Sequence, residues 1–245
     1  MSENKKMTEV FGHNCIEFEF EGKFARLIMP SGKPNGKWLI KTEYADAFPA
    51  LEIEMLRRGY HVAYIANDTR WGREEDTDRR ARFAEFLHTE YGLSEKCVPV
   101  GMSCGGMLAV YFAAKYPEHV AALYIDAPVM NLLSCPWYVG RDTSTREGMH
   151  EEFLTHTGMT LSDLLNYRNH PIDNAPKLLD ANIPIILVSG DSDSVVPYHE
   201  NGAYLEALYK KSGGKIEVHI KKGGDHHPHG LDDNTPIIDF IEKYY

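Results

Sequence analysis

The junction Gly101-Met102-Ser103-Cys104-Gly105 constrains this chain more than any other feature. Residues 97–102 read as an apolar strand and residues 105–116, rich in small side chains, as a helix. A serine between glycines at such a junction occupies a tight strand-to-helix turn. The glycines let the backbone fold sharply and the hydroxyl rise clear of the sheet, while the helix amino terminus favours negative charge developing beside it. A glycine-rich turn with a chance serine is the alternative, and the strand before and helix after argue against it.

The rest of the chain keeps the same rhythm. Residues 15–19 and 25–29 flank Glu21-Gly22 as a hairpin, and 37–41 form a short strand. Residues 45–58 read as a helix stopped at Gly59, 61–65 as a buried strand, and 76–91 as a helix stopped at Gly92. Strands follow at 120–125, 183–189 and 215–221, with helices at 199–212 and 235–244. Strands alternating with helices predict an α/β fold: one domain over residues 1–245, with a mainly parallel central sheet and helices on both faces. The opening hairpin adds antiparallel strands at one edge. Residues 127–180 break the pattern. They carry no strand signal, include a polar stretch at 141–145 and helix-like runs at 147–157 and 161–167, and are expected to form a helical cap inserted into the domain.

Charge narrows the function. With 26 Lys and Arg against 36 Asp and Glu among 245 residues, the net charge of −10 argues against nucleic-acid binding. Arg70, Arg73, Arg79, Arg80 and Arg82 are the densest basic group, but Glu74, Glu75, Asp76 and Asp78 interleave with them, so the stretch reads as a solvated helix face. No apolar run reaches a membrane-spanning length, and no apolar segment follows the first seven residues as in a signal peptide. Cys15, Cys97, Cys104 and Cys135 form no regular framework and are expected to be free thiols in a reducing, cytoplasmic compartment.

A serine hydroxyl needs a base and an orienting acid to attack at neutral pH. In the order Ser, Asp, His, both follow the nucleophile. Asp193, in Gly190-Asp191-Ser192-Asp193-Ser194-Val195-Val196-Pro197, suits an acid on a loop at the end of a strand. Asp191 in the same loop and Asp126 at the end of the preceding strand remain alternatives. Beyond the last strand, Gly223-Gly224-Asp225-His226-His227-Pro228-His229-Gly230 offers three bases, of which His226 is preferred. Three histidines also raise a metal site, but they crowd into a loop and do not share a helix face, so no metal is assigned. Cys104 could rival the serine as nucleophile; its backbone N–H better serves as an oxyanion donor, with Glu43 N–H after strand 37–41 as the second.

Together these segments, with Tyr124-Ile125-Asp126-Ala127-Pro128-Val129, resemble the serine α/β-hydrolase superfamily over nearly the whole chain, within an esterase-like and prolyl-oligopeptidase-like bacterial subgroup. The resemblance implies the α/β-hydrolase fold, Ser103, Asp193 and His226 as nucleophile, acid and base, and no metal or organic cofactor. Lys41-Thr42 stands where the superfamily usually has His-Gly. No propeller domain is expected within these residues, which disfavours a peptidase. The expected substrate is a small carboxylic ester, including an acyl group on a sugar or plant-derived compound. A peptidase, thioesterase, carbon–carbon bond hydrolase or non-catalytic binding module of the same fold are the alternatives. Trp137, Tyr138, Phe153 and Tyr167 either line the substrate pocket or form the core of the cap.

Overall fold

In the structure, a computed structural model that describes residues 5–140 and 148–245, apolar strands run side by side through the middle of the domain. Among the described residues nine strands form one sheet: β1 (Lys6–Val10), β2 (His13–Phe20), β3 (Lys23–Ile28), β4 (Trp38–Lys41), β5 (His61–Ile65), β6 (Val98–Met102), β7 (Leu123–Asp126), β8 (Ile185–Gly190) and β9 (Ile216–Lys221). Their order is β1-β2-β3-β5-β4-β6-β7-β8-β9. The first three pair antiparallel, β3 is antiparallel to β5, and every later pair is parallel. This is the mainly parallel α/β-hydrolase sheet that the alternation predicts, with the hairpin at its edge.

Side-chain alternation divides the core between two faces. In β8, Ile185 and Leu187 join one cluster, whereas Ile186 and Val188 join the other. The first cluster takes Phe83 and Leu87 from α2 (Glu74–Tyr91), Val110 and Phe112 from α3 (Cys104–Lys115), and Leu205 and Tyr209 from a later helix spanning Gly202–Ser212. The second takes Leu51 and Met55 from α1 (Ala50–Arg57), and Ile238 and Ile241 from the closing helix Thr235–Tyr244. With both faces covered, the central strands are buried at every residue and read as largely apolar runs.

Two elements depart from the sequence reading. The helix expected over 45–58 begins only at Ala50. Pro49 disfavours the helical region for the residue before it, and Phe48 takes a positive φ of 49°. The freed loop reaches the active-site end of the sheet. Strand β1 carries a polar, mostly exposed sequence with little apolar periodicity, and its pairing with β2 defines it as a strand.

Within residues 127–180 the described segments hold α4 (Met149–Thr157), α5 (Leu161–Asn166) and α6 (Ala175–Asp180), with no strand among them. The polar stretch 141–145 and the start of the 147–157 run lie outside the described residues. Phe153 of α4 sets its ring edge-on to Trp71, with centroids 5.4 Å apart. Leu132, Tyr138 and Leu164 join them in a third cluster that also holds Cys104 and Met107 of α3.

Candidate active site

Ser103 connects β6 to α3 with φ 54° and ψ −119°. A non-glycine residue in such a conformation persists only where its surroundings hold it. Here the Ser103 N–H donates to Asp126 O at 2.9 Å, and its carbonyl accepts from Gly106 N at 3.0 Å and Val129 N at 3.1 Å. The glycines make the turn sterically possible. A Cβ on Gly101 would lie 2.3 Å from the Gly105 carbonyl oxygen, and one on Gly106 would lie 2.6 Å from Pro128 Cβ.

The parallel strands deliver the other two residues to the same end of the sheet. Asp193 follows β8 and His226 follows β9. His226 Nδ1 lies 2.8 Å from Asp193 Oδ2, and its Nε2 lies 3.1 Å from Ser103 Oγ. Asp193 Oδ1 accepts the N–H groups of Val195 and Val196, both at 2.8 Å, which fixes the carboxylate in its loop. The carboxylate holds the imidazole proton on Nδ1 and leaves Nε2 to accept from the serine hydroxyl.

The competing carboxylates have other tasks. Asp191 Oδ1 accepts from Gly223 N at 2.7 Å and Ser192 Oγ at 2.9 Å, tying the two loops together. Asp225 does the same by accepting from Ser194 N at 3.0 Å and His226 N at 2.8 Å. Those N–H groups hold its carboxyl below the usual aspartate range. Asp126, fully buried, faces His229: its carboxylate lies 2.8 Å from His229 Nδ1 and accepts Gly230 N at 2.6 Å.

The two expected oxyanion donors lie on facing segments. Cys104 N–H is the first amide of α3, where no preceding helical carbonyl can accept it. Glu43 belongs to the turn after β4 that packs on that helix: a Cβ on Gly105 would sit 3.5 Å from Glu43 N. Thr42 Oγ1 ties the turn down by donating to Gly105 O at 2.7 Å. Asn67 Nδ2 donates to Thr42 O and to Glu43 Oε2, each at 2.8 Å. Arg80, which the charge pattern places on a solvated face, is instead wholly buried. It donates to Asn67 Oδ1 at 2.5 Å and to Thr42 O at 3.3 Å. Asp76, read as part of the same face, is buried too, and the charge pattern alone does not separate either residue from Glu74, Glu75 and Arg82, which are exposed. Lys41, in the position of the usual His, points into the core and pairs with Glu52.

Ser103 and His226 open onto a cavity of about 480 Å³, where Tyr44, Phe48, Arg70 and Met149 supply much of the wall. The pocket aromatics therefore come from the loop before α1. Phe153 and Tyr138 are buried in the third cluster, with Trp137 and Tyr167 packed against it. Tyr44 was legible only as part of a turn; burial raises its hydroxyl pKa far above the ordinary tyrosine value. Burial likewise pushes the Cys104 thiol up to about 11, so it stays protonated at neutral pH and is a poor rival to the serine. All four cysteines are buried thiols, none joined in a disulfide.

A mainly parallel sheet with helices on both sides and a serine at the β6–α3 turn places the molecule among the serine α/β-hydrolases. Within that class, the chain belongs to the prolyl oligopeptidase family, whose model matches residues 58–245. Among solved structures it is similar to dipeptidyl peptidase 4 of Porphyromonas gingivalis (14% identity, TM-score 0.66), in a match covering 100% of this chain and 36% of that one. It is also similar to a truncated carbohydrate esterase from gut microbiota (16%, TM-score 0.66), covering 90% of each chain. An α/β-hydrolase enzyme from the metagenome of lagoon sediments at Mar Chica, Morocco, matches at 15% identity and TM-score 0.57, over 97% of this chain and 98% of that one. Among the described residues, no helix is long and apolar enough to cross a membrane.

Proposed function

We propose that this protein hydrolyses a small carboxylic ester through an acyl-enzyme on Ser103. The observation that carries the reading is the His226 ring bridging Asp193 and Ser103 at 2.8 and 3.1 Å. His226 takes the hydroxyl proton as Ser103 attacks the ester carbonyl, and Asp193 stabilises the resulting imidazolium. The Cys104 and Glu43 amides receive the oxyanion; removing one such donor costs about 3–4 kcal/mol in other hydrolases. His226 returns the proton to the leaving alcohol, and water then releases the acid by the same route.

Ala47, Phe48, Met102, Met149 and Val195 make the cavity apolar enough for an acyl group, and likeness to a carbohydrate esterase supports an acylated sugar as substrate. We assign residues 127–180 as a cap, because Met149 of α4 borders the cavity and Glu152 of the same helix binds Arg70. Four cysteines outside any disulfide support a cytoplasmic location. The rival reading is a peptidase, favoured by the family match and by likeness to a dipeptidyl peptidase.

Labelling with a fluorophosphonate probe tests the nucleophile: the native chain takes up the probe and Ser103→Ala does not. A panel of short-chain aryl esters, thioesters and aminoacyl arylamides then separates the readings. Turnover of arylamides alone would replace the esterase by the peptidase, and an unlabelled folded protein would favour a binding module.

A further inference from the structure

The loop after β9 carries three histidines, and the bridge to Ser103 occupies only one of them. The rings of His226, His227 and His229 form a near-equilateral set, with centroids 4.8, 4.9 and 4.9 Å apart and mutual tilts of 61°, 78° and 90°. Three imidazoles bound to one face of a tetrahedral zinc ion, at about 2.0–2.1 Å per nitrogen, have centroids roughly 5 Å apart. Nitrogen atoms of the three rings all fall within 4.8 Å of one another.

Two of the rings are also oriented as metal ligands characteristically are, with one nitrogen on a carboxylate and the other presented outward. His226 turns Nδ1 to Asp193, and His229 turns Nδ1 to Asp126, each at 2.8 Å. Both carboxylates are buried, which leaves Nε2 as the unengaged nitrogen of His229 and sets that of His226 3.1 Å from Ser103 Oγ; both rings line the cavity. His227 is exposed and stacks on Phe48 at 5.4 Å and 13°, a contact that its ring would give up to bring a nitrogen onto a shared ion. Imidazole donors of this number suit zinc or another borderline divalent transition metal, and not magnesium or calcium.

We infer that His226, His227 and His229 form a zinc site that switches the Ser103 centre off. The ion occupies the Nε2 lone pair of His226, the same pair that accepts the serine proton. Ser103 keeps its hydroxyl proton, the Asp193 contact is retained, and no bond to substrate forms until the metal leaves. The site is thus inhibitory, and the ion takes no part in hydrolysis. Its blocking role rests on the triad reading; the binding of metal does not.

The test is calorimetric titration of zinc into the tag-free chain, into Ser103→Ala, and into His227→Ala and His229→Gln, each checked for folding by circular dichroism. The expected result is one zinc per chain at micromolar affinity or tighter in the native chain and in Ser103→Ala, weakened about tenfold or more in His227→Ala and His229→Gln. His227 lies at the surface, so its variant folds even if the buried His229 variant does not. No saturable zinc binding, or binding unchanged in His227→Ala, overturns the site. Fluorophosphonate labelling of the native chain is expected to cease on zinc saturation and return with a chelator. Labelling that persists with zinc bound overturns the switch. Absence of labelling without zinc counts against the serine-hydrolase reading, while the titration still decides whether the metal binds.

Discussion

The Lys41 ammonium lies 2.5 Å from Glu52 Oε1, with both side chains almost fully shut off from solvent. The same ammonium donates to Ala47 O at 3.0 Å and touches the Met102 sulfur at 3.7 Å, one residue before Ser103. The pair therefore joins β4, the loop before α1, and the strand that ends in the serine turn. Losing one partner strands a buried charge, whereas losing both removes the desolvation cost as well. Lys41→Met is expected to lower stability by about 3–5 kcal/mol, and Lys41→Met with Glu52→Leu to recover most of it. Urea denaturation of the three proteins decides this; equal losses in single and double variants would refute the pairing argument.

The serine turn depends on missing side chains more than on present ones. Gly101→Ala drives a Cβ against the Gly105 carbonyl, and Gly106→Ala drives one against Pro128, at 2.3 and 2.6 Å before relaxation. Each is expected to cost about 1–3 kcal/mol or more through overpacking. Gly101→Ala also shifts the helix start that carries the Cys104 amide, so probe labelling should fall even in protein that remains folded. Gly32→Ala, whose Cβ would meet only Arg57 O at 3.9 Å, serves as the control and should leave both readouts near native.

The same dependence explains how much of the site could be read in advance. The meeting of Ser103, Asp193 and His226 was legible because each follows a strand, strongly apolar before Ser103 and Asp193 and alternating before His226, and parallel strands bring such loops to one end of the sheet. The choice of Asp193 over Asp191 followed from the turn that Val195 and Val196 start, and their N–H groups do bind its carboxylate. Contacts between distant loops were not legible. The pairing of Asp126 with His229 spans residues from β7 and from beyond β9, and neither has a local signature of the other. Arg80 and Asn67 support Thr42 for the same reason: their meeting is set by packing across the sheet, not by spacing along the chain. Strand β1 depends on edge pairing, which a polar pentapeptide does not announce, and the crossing that sets β5 between β3 and β4 depends on pairing between segments that local sequence does not specify.

His61, on β5, supplies a pH signature separate from catalysis. Burial lowers its pKa below the ordinary histidine value, and its Nδ1 is buried without a hydrogen-bond partner. The native ring is thus neutral at pH values where the unfolded chain already binds a proton. Its contribution to stability is present in full above the unfolded value of about 6.5 and is lost as pH falls through the lowered native value. Between about pH 7 and pH 5, His61→Gln should lose stability less steeply than the native chain. Parallel slopes in denaturation series at several pH values would sink this account.

The two aspartates of the β8 loop separate orientation of the base from support of its loop. Asp193→Asn keeps a group of the same size beside His226 but replaces the acceptor with an amide that can donate. The imidazole then loses the partner that fixes its proton on Nδ1, and kcat is expected to fall about 10⁴-fold. KM changes little, because Asp193 is 5% exposed and does not border the cavity. Asp191→Asn leaves the bridge between Asp193 and Ser103 intact and retains an oxygen for the Gly223 N–H. Its effect should be a modest loss of stability with kcat within about tenfold of native, as for a loop contact outside the reacting groups. Comparable kcat losses in both variants would mean that loop anchoring, not the orientation of His226, is the role of Asp193.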